Sequence, residues 1–229
     1  MVTSSTALAP RTPGGQLPVR VYRASHGTPL ATLVLAHGAG APQAHPFMVG
    51  AAESLAIRRL AVVTFDFPYT AAGRKLPDKA PVLERAYLDV IAWVRGQDDL
   101  PRSLAIGGKS MGGRMASHVA AHHAETAGAL CGIVCLGYPL HPPDKPTQRR
   151  DAHLPLIRVP MLFVQGSRDG FGTPDELRPV LAALPAGADL HVVEDGDHGF
   201  ATPRRLGRSA ADVLGGVWDV VAAWVGRHA

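Results

Sequence analysis

The run Gly108-Lys109-Ser110-Met111-Gly112, preceded by Gly107 and followed by Gly113, sets a hydroxyl among glycines directly after a short apolar segment, Ser103–Gly107. A serine in the pattern G-x-S-x-G, between a strand and a helix, sits on a sharp, strained turn. Bulky neighbours two positions away would collide with the adjoining backbone. The turn exposes the hydroxyl and places it at a helix N-terminus, where partial positive charge favours developing anionic character. The chemistry this suits is nucleophilic attack on a carbonyl carbon. Serine is a weak nucleophile and needs a base, and the base needs an orienting acid. Two later segments offer them. Gly166-Ser167-Arg168-Asp169-Gly170 follows one apolar run, and Glu194-Asp195-Gly196-Asp197-His198-Gly199-Phe200 follows another. We assign Ser110 as nucleophile, His198 as general base and Asp169 as the acid. Asp195 and Asp197 are nearer to His198 in sequence, but residues of one short loop rarely present their side chains face to face.

These three residues must be positioned by elements that the apolar pattern outlines. Continuous strand-like runs occupy Ala31–Ala36, Leu60–Phe65, Ser103–Gly107, Ala129–Leu136, Met161–Gln165 and Leu190–Val193, and Val19–Arg23 alternates like an edge strand. Helical spacing falls over residues 44–58, 81–96, 111–125, 177–184 and 206–226. Strands without a polar face, separated by helices, imply a mostly parallel sheet covered on both sides, with right-handed crossovers. Ligands of such sheets bind beyond the carboxyl ends of the strands, which is where all three chosen residues fall. The chain has 229 residues, enough for one well-buried domain. Residues 1–15, rich in Ser, Thr, Pro and Gly, read as a flexible tail, and residues 16–229 as a single α/β domain. The connection from Gly137 to Pro160 is too short and too polar for a large cap, so the site should be open, without a deep tunnel for long acyl chains.

Other chemistries fit less well. Gly108-Lys109-Ser110 resembles the end of a phosphate-binding loop, but the glycine five positions earlier is replaced by Ser103 inside a strand-like run. Eleven histidines are present. His118 and His122 stand four apart on one helix with His123 adjoining them; with no H-E-x-x-H pattern and no nearby third ligand of the right kind they read as a solvated face, so no metal is expected. His37 should shape a loop without moving protons, and His141 and His153 read as surface loop positions. Asp66 reads as a structural carboxylate and Asp175 as a helix cap; Lys109 and Arg114 flank the nucleophile and could attract an anion. The net charge of +4 comes without a basic stripe interleaved with aromatics, so nucleic acid is not an expected partner. No apolar stretch reaches about 18 residues, so no membrane span is expected. Cys131 and Cys135, on one strand at ~3.3 Å per residue, would stand about 13 Å apart, beyond disulfide reach. Reduced thiols and no secretory leader pattern point to the cytoplasm.

The order Ser…Asp…His, with His37-Gly38-Ala39-Gly40 after the first buried strand, the elbow at Ser110, the run ending at Asp169 and Asp197-His198-Gly199-Phe200, resembles the α/β-hydrolase superfamily. The likeness spans about residue 30 to the C-terminus and is greatest to small bacterial members akin to dienelactone hydrolases. Those use a cysteine nucleophile, and this chain has Ser110. The resemblance therefore implies an esterase-like acyl transfer, on a small-molecule ester or thioester, with no cofactor. It also implies an oxyanion hole formed by the N–H of Met111 and a second N–H, from Ala39 in the first place and Gly40 in the second. A catalytically silent scaffold and a cofactor-free perhydrolase are the alternatives that sequence leaves open, as it leaves open the oligomeric state.

Overall fold

The computed structural model describes residues 2–12, 15–24 and 27–229. Eight strands form one sheet in the order β1-β2-β4-β3-β5-β6-β7-β8. They are β1 (Val2–Thr12), β2 (Gly15–Ala24), β3 (Ala31–Ala36), β4 (Leu60–Phe65), β5 (Leu104–Lys109), β6 (Gly132–Leu136), β7 (Met161–Gly166) and β8 (Ala188–Val193). From β3 onward every pairing is parallel; β1 and β2 run antiparallel at one side. The expected mostly parallel sheet with helices on both faces and no large cap is what the chain forms.

Strand residues alternate between two cores, as the two-residue period requires. Val34, Ala36 and Ile106 face one cluster, together with Leu83 and Tyr87 of helix α3 (Ala80–Arg95) and Met115 and Val119 of α4 (Met111–His122). Leu33, Leu35 and Ala105 face the other, with Leu55 of α1 (Pro46–Ile57) and Val221 and Trp224 of α7 (Ala210–His228). Two one-turn helices, α2 (Pro68–Ala71) and α5 (Ala124–Ala127), and α6 (Pro174–Ala182) complete the set. Thr173, not Asp175, caps α6: its hydroxyl accepts the Glu176 N–H while the Glu176 carboxylate accepts the Thr173 N–H at 2.8 Å. This is a reciprocal capping box, and Asp175 is left to face Arg178 at 3.6 Å.

One expectation is corrected. Of the tail assigned to residues 1–15, Met1, Pro13 and Gly14 lie outside the described residues, but Val2–Thr12 are paired with β2 in register from Val2↔Ala24 to Thr12↔Gly15. The same pairing makes β2 an inner strand instead of the edge. A Ser/Thr-rich segment has little apolar signal of its own. Here the open backbone groups of β2 give it a partner, and strand edges are templates for such pairing.

The sheet order reverses beside β3. The chain passes from β3 to β4 on one side, and β5 then joins β3 on the other. The register pairs Ala36 with Gly108, so the loops leaving β3 and β5 start one residue apart and diverge. Such a switch point opens a crevice at the carboxyl edge.

Candidate active site

Ser110 is the hinge between β5 and α4, with φ 52° and ψ −115°. A positive φ on a residue with a Cβ costs roughly 1–3 kcal/mol and must be held by its surroundings. The Ser110 N–H donates to the Leu136 carbonyl at 2.9 Å, tying the turn to the neighbouring strand. Glycine is required on both sides. A Cβ on Gly108 would come within 2.6 Å of the Gly112 carbonyl carbon, and one on Gly112 would overlap the Ala36 carbonyl. Beneath the turn, the Tyr87 hydroxyl lies 2.8 and 2.6 Å from the carbonyl oxygens of Val34 and Gly107 and accepts the Gly107 N–H at 3.0 Å. It fastens β3 to β5 where the two loops part. Within a helical apolar pattern this tyrosine reads only as core.

The structure brings the three predicted residues together. The Ser110 hydroxyl lies 2.9 Å from His198 Nε2, and His198 Nδ1 lies 2.8 Å from Asp169 Oδ2. With a carboxylate on Nδ1, the neutral ring carries its proton there, so Nε2 is free to accept from the serine. Asp169 is 1 % exposed. Its charge is held by two further donors, the Phe171 N–H to Oδ1 at 2.8 Å and Gln165 Nε2 to Oδ2 at 2.8 Å. Gln165, the last residue but one of β7, is itself saturated. Its Oε1 accepts the Tyr138 N–H at 2.8 Å, and Nε2 also donates to the Gly172 carbonyl at 2.7 Å. A single polar residue closing an apolar strand was the only sign of it in the sequence. The Phe171 ring covers the imidazole, with centroids 4.4 Å apart and planes at 36°.

Asp195 and Asp197 do not reach Nδ1. Asp197 Oδ1 accepts the N–H groups of Gly199 and Ala201 at 2.8 and 2.9 Å, shaping the loop that carries His198. Asp195 turns outward toward Arg208, 3.7 Å away. Asp66 accepts the Gln43 N–H at 2.8 Å, the structural role expected of it. His118 and His123 depart from the solvated face predicted for them. They hold Glu84 of α3 at 2.9 and 3.0 Å, and His118 packs against buried His153, centroids 4.1 Å apart. No group of three or more His, Cys, Asp or Glu among the described residues could hold a metal ion.

Ala39, Gly40 and Met111 border the same cavity as Ser110 and His198. Met111 opens α4, so its N–H has no carbonyl one turn earlier. The loop after β3 presses on the nucleophile, as a Cβ on Gly38 would stand 3.6 Å from Ser110 Cβ. Its peptides are pinned from behind. Fully buried His37 accepts the Phe67 N–H at Nε2, 3.1 Å, and donates from Nδ1 to the Gly38 carbonyl at 2.7 Å. Burial lowers its pKa, which keeps this tautomer neutral. The Tyr69 hydroxyl donates to the Ala39 carbonyl at 3.0 Å. In a trans peptide the N–H points opposite the C=O, so these two bonds fix the directions of the Ala39 and Gly40 N–H groups. His37 thus shapes the loop as expected.

In the sequence Lys109 reads only as a cation flanking the nucleophile that could attract an anion. It borders the cavity, and its Nζ is buried with no hydrogen-bond partner among the described residues. A Cβ on Gly137 would be 2.8 Å from that Nζ and 3.3 Å from His198 Nδ1, and the Phe200 ring centroid is 5.7 Å from it. Burial pulls its pKa down to about 8, against a smaller opposing pull from Asp169 and Asp197. Below about pH 8 the buried ammonium is charged and its full cost weighs on the fold. Between about 8 and 10.5 the folded lysine is neutral while the unfolded one still holds its proton, so the cost is relieved as pH rises. Lys109→Met should therefore stabilise the protein by about 3 kcal/mol at pH 7, a gain that fades by pH 10.5. Urea unfolding at both pH values checks this; an equal difference at both contradicts it.

Sequence and structure comparisons agree with this architecture. A family model described as an alpha/beta hydrolase domain matches residues 29–226. Among solved structures, a dienelactone hydrolase from Anabaena variabilis aligns with TM-score 0.73 and 19% identity, over 97% of this chain and 96% of its own. An α/β serine hydrolase without lid from Xanthomonas campestris aligns with TM-score 0.69 and 20% identity, over 96% and 94%. The esterase domain of a Rhodothermus marinus protein gives 0.72 and 16%, over 98% of each chain.

Proposed function

This chain belongs to the alpha/beta hydrolase family, and from that premise we propose that it is a serine hydrolase cleaving a carboxylic ester or thioester through an acyl-enzyme. One observation carries the proposal. Ser110, His198 and Asp169 form a continuous hydrogen-bonded chain, with steps of 2.9 and 2.8 Å, whose hydroxyl end borders a cavity of about 680 Å³. That size suits a small organic molecule.

In this reading His198 Nε2 takes the Ser110 proton as Oγ attacks the carbonyl carbon, and buried Asp169 stabilises the imidazolium that forms. The N–H groups of Met111 and Ala39 receive the oxyanion; losing one such donor costs about 2.7–4 kcal/mol of transition-state stabilisation. Collapse of the tetrahedral intermediate expels the alcohol or thiol, which recovers the proton from His198. Water, activated by the same imidazole, then releases the acid and restores Ser110. No step calls for a cofactor. Cys131 and Cys135 are both free thiols, which supports a reducing, cytoplasmic setting. Among the described residues no helix is long and apolar enough to cross a membrane.

A panel of short- and medium-chain nitrophenyl esters and acyl thioesters tests the reading. Saturable hydrolysis by the purified protein, without added metal or cofactor, is expected. Folded protein that turns over none of them, and that takes up no fluorophosphonate, would contradict it.

A further inference from the structure

Two arginines border the cavity that holds Ser110, and neither guanidinium has an ion-pair or hydrogen-bond partner among the described residues. Arg114 stands one helical turn after the nucleophile, its N–H donating to the Ser110 carbonyl at 3.1 Å. Arg150 lies within the Pro-rich connection between β6 and β7, and its backbone is fixed at both groups. Its N–H donates to the Leu140 carbonyl at 2.9 Å, and its carbonyl accepts the hydroxyl of buried Tyr138 at 2.6 Å. Both side chains are half-buried. Burial, and after it the charge of Arg150, lowers the pKa of Arg114, against smaller opposing pulls from Tyr138 and Glu84.

The carboxylates of the neighbourhood are engaged elsewhere. Glu84 is held by His118 and His123 at 2.9 and 3.0 Å, Asp151 by Arg149 at 2.6 Å, and Asp78, also at the cavity, by Arg74 at 2.7 Å. Two like charges on one wall, half-desolvated and without a carboxylate paired to either, are unfavourable unless something else brings the negative charge. On a surface, water and salt would screen them; on the wall of a cavity that also contains the nucleophile, the position is one a substrate fills. Guanidinium groups favour planar or tetrahedral oxyanions, which they can grip through two N–H bonds at once.

We infer that Arg114 and Arg150 form an anion subsite, and that the ester or thioester cleaved at Ser110 carries a second, oxyanionic group, a carboxylate or a phosphate-type group, that docks between them. The inference rests on the ester-hydrolysis reading above and narrows its substrate class. The subsite holds the substrate by charge-assisted bonds and leaves the scissile carbonyl to the elbow, so its effect falls mainly on KM.

Shape-matched ester pairs test it. Nitrophenyl glutarate monoester is compared with nitrophenyl pentanoate for a carboxylate in the acyl part. Nitrophenyl 4-phosphonobutanoate is compared with the same pentanoate for the phosphorus oxyanion. The 4-carboxyphenyl and 4-carbamoylphenyl butanoates place the charge in the leaving group. In the native protein at least one anionic member should exceed its neutral partner by about 10- to 100-fold in kcat/KM, as expected for two charge-assisted hydrogen bonds. The ratio should narrow as ionic strength rises. Arg114→Met and Arg150→Met should each bring the ratio toward one, with unfolding curves confirming that each variant is folded. The native ratio and its salt dependence need no variant, so they decide the matter even if a variant does not fold. Hydrolysis of neutral esters with no anionic preference in any pair overturns the subsite and leaves the esterase reading standing; so does a preference that survives both substitutions. Failure of every ester, with no fluorophosphonate adduct at Ser110, removes both.

Discussion

Ser110→Ala is expected to lower kcat for ester hydrolysis by about 10⁴- to 10⁶-fold while the protein remains folded. The size follows from the absence of a substitute: among the described residues the hydroxyl alone hydrogen-bonds His198 Nε2, at 2.9 Å, and without it the imidazole can only assist water. Alanine keeps the Cβ, so the backbone at φ 52° is no more strained than before. Only the hydroxyl's bond to the imidazole is lost, worth about 1 kcal/mol. Loss of activity should therefore accompany an unfolding midpoint close to that of the native protein. A folded Ser110→Ala variant with full esterase activity would remove Ser110 from the mechanism.

Asp169→Asn should cost about 10⁴-fold in kcat, the scale of a base held in the wrong tautomer, and should also destabilise the fold. The surroundings of this carboxylate consist of donors. Oδ2 receives His198 Nδ1 and Gln165 Nε2, both at 2.8 Å, and Oδ1 receives the Phe171 N–H at 2.8 Å. An asparagine amide has one oxygen. If its NH₂ takes the Oδ2 place, it meets the Gln165 donor and drives the His198 proton from Nδ1 to Nε2, where it blocks acceptance from Ser110. If the amide is flipped, the NH₂ meets the Phe171 N–H. One buried donor is unsatisfied in either case, at about 1–3 kcal/mol. Steady-state kinetics and chemical unfolding on the same preparation report both losses; unaltered kcat would show that another group orients the imidazole.

The elements that carry chemistry were the most legible part of the sequence. The elbow could be read because its glycines answer to backbone collisions within a few residues of Ser110, which local spacing records. Asp169 and His198 could be read because each follows an apolar run, and parallel strands deliver their loops to one edge of the sheet. What escaped depends on partners distant in sequence. β1 has no apolar alternation and is placed by the open edge of β2. Tyr87 and Gln165 look like one more core residue and one strand end until β3, β5 and the loop at Tyr138 are packed against them. Glu84 lies 34 residues before His118, so the histidine cluster looked like a solvated face. Lys109 is the reverse case. A charge sealed beside the imidazole violates the burial rules that the rest of the chain obeys, and such violations collect where function competes with stability.

The central claim, that His198 activates Ser110 through this hydrogen-bonded chain, is tested most directly by peptide mapping after treatment with a fluorophosphonate. The account predicts a single stoichiometric adduct on the peptide bearing Ser110 in the native protein, and labelling slowed by orders of magnitude in a folded His198→Ala variant. An adduct on a different residue, or equally rapid labelling of Ser110 without the imidazole, would contradict it.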